Sequence, residues 1–140
     1  MIAVIDANVA LALLLDLAYS AKARETVTKA EMMIAPDLII HETANALWRI
    51  SAAETAFGEQ AAEVMRTIPA LFEEIIPGGD LASDALQLAI LGKHPAYDCF
   101  YIALAQAREA ALITADRKLA AAANRIAPEI AVILVQPRNS

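Results

Sequence analysis

The chain has 140 residues, 11 Lys+Arg against 17 Asp+Glu for a net charge of −6, and an apolar fraction of 59%. That length suits a single domain, and one cysteine with two histidines excludes an internal disulfide and nearly excludes a Cys/His zinc site. Uncharged runs such as Ala7 to Leu15 and Cys99 to Ala107 fall well short of the ~18 residues a membrane-spanning helix needs. No Lys or Arg precedes Lys22, so no secretory signal is expected and the start reads as mature structure. A cytoplasmic setting without a membrane partner is the expectation. The apolar fraction exceeds the ~45–50% of ordinary soluble domains, which points to surface covered by a partner.

Short β-branched runs alternate with longer helical patterns, the signature of a parallel sheet covered by helices. In chain order, the pattern predicts strands over Ile2–Asp6, Met32–Ala35, Phe72–Ile76, Ala111–Thr114 and Ala131–Val135. Helices are predicted over Asn8–Leu17, Ser20–Ala30, Asp37–Glu54, Gly58–Pro69, Asp80–Lys93, Pro95–Glu109 and Arg117–Arg125. Ser20 and Asp80 are expected as N-caps, Pro95 in a first helical turn, and Pro77-Gly78-Gly79 as a break after the third strand. Without repeats or a linker, residues 1–136 read as one α/β domain and residues 137–140 as a short tail.

Four acids stand out. Asp6 ends the first strand in VIDANV and Asp116 follows the fourth in ALITADRKL; each has an ordinary use as a helix N-cap. Glu42 forms an i, i+3, i+7 stripe with Asn45 and Arg49 on an otherwise apolar helix, which a solvated face would also explain. Asp98 opens a helix that stays uncharged for nine residues; the helix dipole favours an acid there, yet a buried helix requires a partner for its one charge.

Singly, each acid has a structural explanation. Together, two acids at strand ends converge at a switch point if the first and fourth strands are neighbours, and helices flanking the crevice bring Glu42 and Asp98 to it. Four carboxylates in one pocket repel each other unless a cation is present. All-oxygen ligands favour magnesium, or manganese in its place. Such an ion offsets the poor fit of an acidic protein to a polyanion.

The segments VIDANV, HETANALW, YDCFYIALA and LITADRKL, in that order over nearly the whole chain, resemble the PIN-domain ribonucleases, specifically the small VapC-like toxins of toxin–antitoxin pairs. The resemblance implies a three-layer α/β/α sandwich around a parallel sheet of about five strands. It implies that Asp6 and Asp98 hold the metal, while Glu42 and Asp116 orient the attacking water or act as general base. Asn8 and Thr114 match positions that hydrogen-bond the ligating carboxylates. The implied activity is magnesium-dependent endoribonuclease cleavage of RNA, leaving a 5′-phosphate and a 3′-hydroxyl. The implied partners are an RNA substrate, a small antitoxin whose tail occupies the acidic groove, and a second copy of the chain.

Other residues read more plainly. His41 is expected at a surface or partner contact, His94 as a cap or loop residue, and Cys99 as a buried small hydrophobe. Trp48 is expected to pack against the sheet or an interface. Arg49, Arg117 and Lys118 either meet RNA phosphates or offset nearby acids. Two other functional classes compete. An aspartyl phosphotransfer domain would need a second acid where Asn8 stands; a docking module with weak or no nuclease activity is the alternative that fits the apolar excess.

Overall fold

The computed structural model describes residues 1–136, so the tail expected over 137–140 lies outside the described residues. Strands β1 (Ile2–Ile5), β2 (Met32–Pro36), β3 (Glu74–Ile76), β4 (Ala111–Thr114) and β5 (Val132–Leu134) form one sheet. Every pairing is parallel, and the order is β3-β2-β1-β4-β5. Helices α1 (Ala7–Leu14), α2 (Ser20–Val27), α3 (Leu38–Ala53), α4 (Gly58–Thr67), α5 (Ala82–Gly92), α6 (Ala96–Arg108) and α7 (Arg117–Ile126) connect them.

The layers follow from this order. The connections to β2 and β3 step one way from β1, and those to β4 and β5 step the other way, so right-handed crossovers place the two sets of helices on opposite faces. Accordingly α1 packs on α2 and α3, and α3 on α4, whereas α5 packs on α6 and α7. This is the three-layer sandwich expected from the sequence. Central strands covered on both faces must be apolar throughout; Val4 in β1, flanked in register by Ile34 and Leu112, is fully buried along with both neighbours. Ala10, Ala12, Ala105 and Ala123 are equally buried. Their small side chains let helices lie close to the sheet, while Ile5, Ile39, Ile102 and Ile113 fill the remaining core. Each such isoleucine contributes about 1.5–3 kcal/mol by leaving water.

Several boundaries differ from expectation. Helix α1 stops at Leu14, and Ser20 does not cap α2: its hydroxyl accepts from the Leu17 amide and donates to the Leu15 carbonyl, both at 2.8 Å, closing the loop before the helix. Asp80 lies in a single 3-10 turn, Gly78–Asp80, and α5 begins only at Ala82 without a side-chain cap. Helix α4 ends at Thr67 and a 3-10 segment, Ile68–Leu71, follows; Pro69 has no amide hydrogen with which to continue the α-helical ladder. Pro95 occupies the cap position just before α6, with extended φ and ψ of −54° and 137°. Among the described residues no helix is long and apolar enough to cross a membrane.

Candidate active site

From β1 the sheet grows one way through β2 and β3, and the chain then crosses back to add β4 and β5 on the other side, so the carboxyl ends of β1 and β4 form the switch point where open parallel sheets leave a crevice. Asp6 follows β1 directly. It is the N-cap of α1: Oδ1 accepts from the Val9 amide at 2.9 Å, and Oδ2 accepts a short hydrogen bond from the Thr114 hydroxyl at the end of β4. The same hydroxyl oxygen accepts from the Asp116 amide at 2.9 Å. Asp116 in turn caps α7, its Oδ1 accepting from the Lys118 and Leu119 amides at 2.8 and 3.3 Å. Capping and membership of the cleft are therefore compatible uses of both acids.

Two helices close the crevice. The Glu42, Asn45, Arg49 stripe of α3 faces it, as does the turn of α6 carrying Asp98 and Tyr101. The Tyr101 hydroxyl donates to Glu42 Oε1 at 2.5 Å, and His94 Nε2 lies 2.7 Å from Asp98 Oδ2. The resulting cleft has a volume of about 280 Å³ and is lined by all four acids, with Asn45 and Arg49 at its α3 side. Each carboxylate is thus gripped by at least one donor. Among the described residues, Glu42 Oε2, Asp98 Oδ1 and Asp116 Oδ2 have no protein partner.

The electrostatics reflect burial first and crowding second. Burial pushes Asp6 up from 3.8 to about 6, against the lowering effect of its bonds to Thr114 and Val9; the charges of Asp116 and Glu42 raise it further. Glu42 is also raised, first by burial and then by Asp98 and Asp116, with the Tyr101 bond acting in the other direction. Tyr101, buried beside Glu42, is held far above the usual phenol range and so remains a donor. Mutual repulsion of this kind is what a divalent cation relieves, and the donors are all oxygen, as magnesium and manganese prefer. Among the described residues no three His, Cys, Asp or Glu side chains converge to enclose an ion by themselves.

Sequence reasoning brought the four acids together and named Thr114, but it missed Tyr101 and the His94 contact. Both follow helical spacing: Tyr101 is three residues after Asp98 on one helix face, and His94 is four before it. Trp48 does not pack against the sheet; it is 65% exposed on the outer side of α3. Asn8 lines the cleft, although the bond recorded for it runs from the Tyr19 hydroxyl to its backbone carbonyl, at 3.4 Å. Cys99 is buried, as expected. His41 is exposed.

The family model described as PIN domain matches residues 3–125, which include all four acids. The chain belongs to the PIN domain family. This PIN domain is 29% identical over 119 residues to Ribonuclease VapC3 of Pyrobaculum aerophilum, covering 84% of this chain and 91% of that one. Its fold is similar to the crystal structure of PAE2754 from the same organism, with a TM-score of 0.69, 20% identity and coverage of 94% and 83% of the two chains. It is also similar to FitAcB from Neisseria gonorrhoeae, with a TM-score of 0.64, 18% identity and coverage of 95% and 96%. A third likeness is to VapBC2 from Rickettsia felis, solved with a DNA fragment from its promoter, with a TM-score of 0.60, 16% identity and coverage of 97% and 100%. These solved structures place the PIN fold over nearly the whole chain.

Proposed function

We propose that this PIN domain is a metal-dependent endoribonuclease and the toxin of a toxin–antitoxin pair. The observation that carries the reading is the meeting of Asp6, Glu42, Asp98 and Asp116, drawn from four separate segments, in one cleft at the sheet's switch point. The likeness to a named ribonuclease supports RNA as the substrate.

In this reading Asp6 and Asp98 hold a magnesium ion, or manganese in its place. Such an ion, when bound, neutralises phosphodiester charge and lowers the pKa of water. Glu42 and Asp116, each with an unpartnered oxygen, orient the attacking water and accept its proton. The water oxygen bonds to phosphorus as the bond to the 3′ oxygen breaks; that oxygen leaves as a hydroxyl after taking up a proton, and the phosphate stays on the 5′ side. Thr114 and Tyr101 fix Asp6 and Glu42. The Arg49 guanidinium, which makes no hydrogen bond or ion pair among the described residues, is placed to meet a neighbouring phosphate.

Two surfaces support protein partners. An apolar groove of about 590 Å³, lined by Leu15, Leu17, Ile50 and Phe57, adjoins the acid cleft through Arg49, which lines both. An antitoxin segment seated there reaches the acids with a basic side chain. Separately, Leu86, Ile90 and Leu91 of α5 and Tyr97 of α6 are 54%, 70%, 78% and 70% exposed, an apolar patch suited to a second copy of the chain.

The test is cleavage of a pool of structured RNAs by purified, antitoxin-free protein, with magnesium or with chelator, beside Asp98→Asn prepared identically. Discrete magnesium-dependent cuts made by the unmutated protein alone are expected. Equal cutting by Asp98→Asn would sink the assignment, and no cutting by either would move weight to a docking module.

A further inference from the structure

The corner between α5 and α6 is unusually well anchored. Gly92 ends α5 in a buried position where a Cβ would collide with Ile126 Cδ1, and its carbonyl accepts from Arg125 Nη1 at 2.6 Å. Lys93 then takes the left-handed conformation with φ of 50°, the His94 amide donates to the Ala89 carbonyl at 3.1 Å, and Pro95 directs the chain into α6. The His94 backbone is thus fixed from α5, next to a carbonyl tied to α7. Its imidazole reaches forward one helical turn to Asp98.

An aspartate in a first helical turn commonly turns back to the free amides there. Asp98 does not: α6 has no side-chain cap, and the carboxylate is instead directed to His94 Nε2, the two side chains being 15% and 30% exposed. The other three acids of the cleft show the same arrangement with different donors. Asp6 is held by Thr114 and Val9, Glu42 by Tyr101, and Asp116 by Lys118 and Leu119. Partners that hold a ligand carboxylate in this way set its orientation and its readiness to bind.

We propose that His94 is a positioning residue: by donating from Nε2 to Asp98 Oδ2 it holds the carboxylate so that Oδ1 is presented to a divalent cation. This rests on the reading of Asp98 as a metal ligand. The acid of α6 then has its support in the corner between α5 and α6, a segment tied back to α5 and α7.

The test is calorimetric titration of Mn²⁺ alone into purified protein, without RNA, for the unmutated chain and for His94→Ala, His94→Gln and Asp98→Asn, with thermal melts in chelator as a fold control. The expected result is an affinity about tenfold weaker in His94→Ala, largely recovered in His94→Gln, whose amide retains a donor. Melting temperatures in chelator are expected to stay close together. Unmutated affinity in His94→Ala, with loss in Asp98→Asn, would overturn the positioning role and leave the ligand reading standing. Equal losses in the alanine and glutamine variants would also overturn it. Unmutated affinity in Asp98→Asn would instead remove the ligand reading on which the inference rests.

Discussion

The Tyr101 hydroxyl donates to Glu42 Oε1 at 2.5 Å, joining α6 to α3 across 59 positions of sequence. Tyr101 is 2% exposed, so the donor end of the bond is shielded from water and replaces part of the hydration Glu42 loses. In Tyr101→Phe the ring still fills its place, but a raised carboxyl loses the one side-chain bond that lowers it. A hydrogen bond to a charged group is worth about 1.5–3 kcal/mol. The variant is expected to fold, to melt several degrees lower and to cleave RNA at about a tenth of the normal rate or less, with the acid limb of its pH–rate profile moved upward. An unchanged profile, measured by single-turnover cleavage, would show that the bond is not used.

Thr114 tests the other carboxylate. Its hydroxyl donates to Asp6 and accepts from the Asp116 amide, so Thr114→Val keeps the shape while leaving two polar groups short of a partner. The cost is expected at about 1–3 kcal/mol, with most activity lost. Thr114→Ser, which restores the hydroxyl, should recover both. Chemical denaturation of the three proteins beside their cleavage rates decides the point; a fully active valine variant would remove Thr114 from the site.

Asp6 gives a pH prediction with a definite sign. Its folded pKa is raised from 3.8 to about 6, chiefly by burial, so the folded state holds the proton more tightly than the unfolded chain. The stability this contributes is fully present below the unfolded value and is lost as pH rises through about 6, amounting to roughly 3 kcal/mol. In chelator, denaturation midpoints should carry a downward contribution between about pH 4 and pH 7. Magnesium should raise the midpoint markedly near neutrality and little at the acid end. An equal magnesium effect at both extremes would contradict this account.

The α5 patch makes a prediction independent of chemistry. Ile90 and Leu91 are exposed and fill no core, so Ile90→Glu with Leu91→Lys should leave the fold of the single chain intact, as its circular dichroism would show. If the patch joins two copies, the double variant should halve the mass seen by light scattering. A mass equal to that of the unmutated protein would assign the patch elsewhere.

How far the sequence could be read depended on what each residue must satisfy. Buried parallel strands must be apolar, so IAVI and ALIT were identifiable without a structure. Acids directly after such strands had few places to go except the sheet's carboxyl edge. By contrast, Ser20 is no cap because its hydroxyl closes the preceding loop instead, and Asp80 is none because it lies in a 3-10 turn ahead of α5. For Trp48 the sheet is excluded and the interface reading stands, because helical periodicity gives a face but not what covers it. His94 and Tyr101 were overlooked because their significance comes from the partner, Asp98 or Glu42, and not from their own type. Since Trp48 is 65% exposed, Trp48→Ala should change stability by no more than about 0.5 kcal/mol, measurable by urea denaturation.

The pairing of β1 with β4 carries one more consequence. Asp6 is held by a hydroxyl 108 positions further along the chain, and β1 lacks one of its two neighbours until Ala111–Thr114 is available. A polypeptide emerging from the ribosome amino end first therefore carries three of the four acids, Asp6, Glu42 and Asp98, before the strand that unites them has left the exit tunnel. The order of synthesis itself keeps the cleft unassembled until nearly the whole domain has been made.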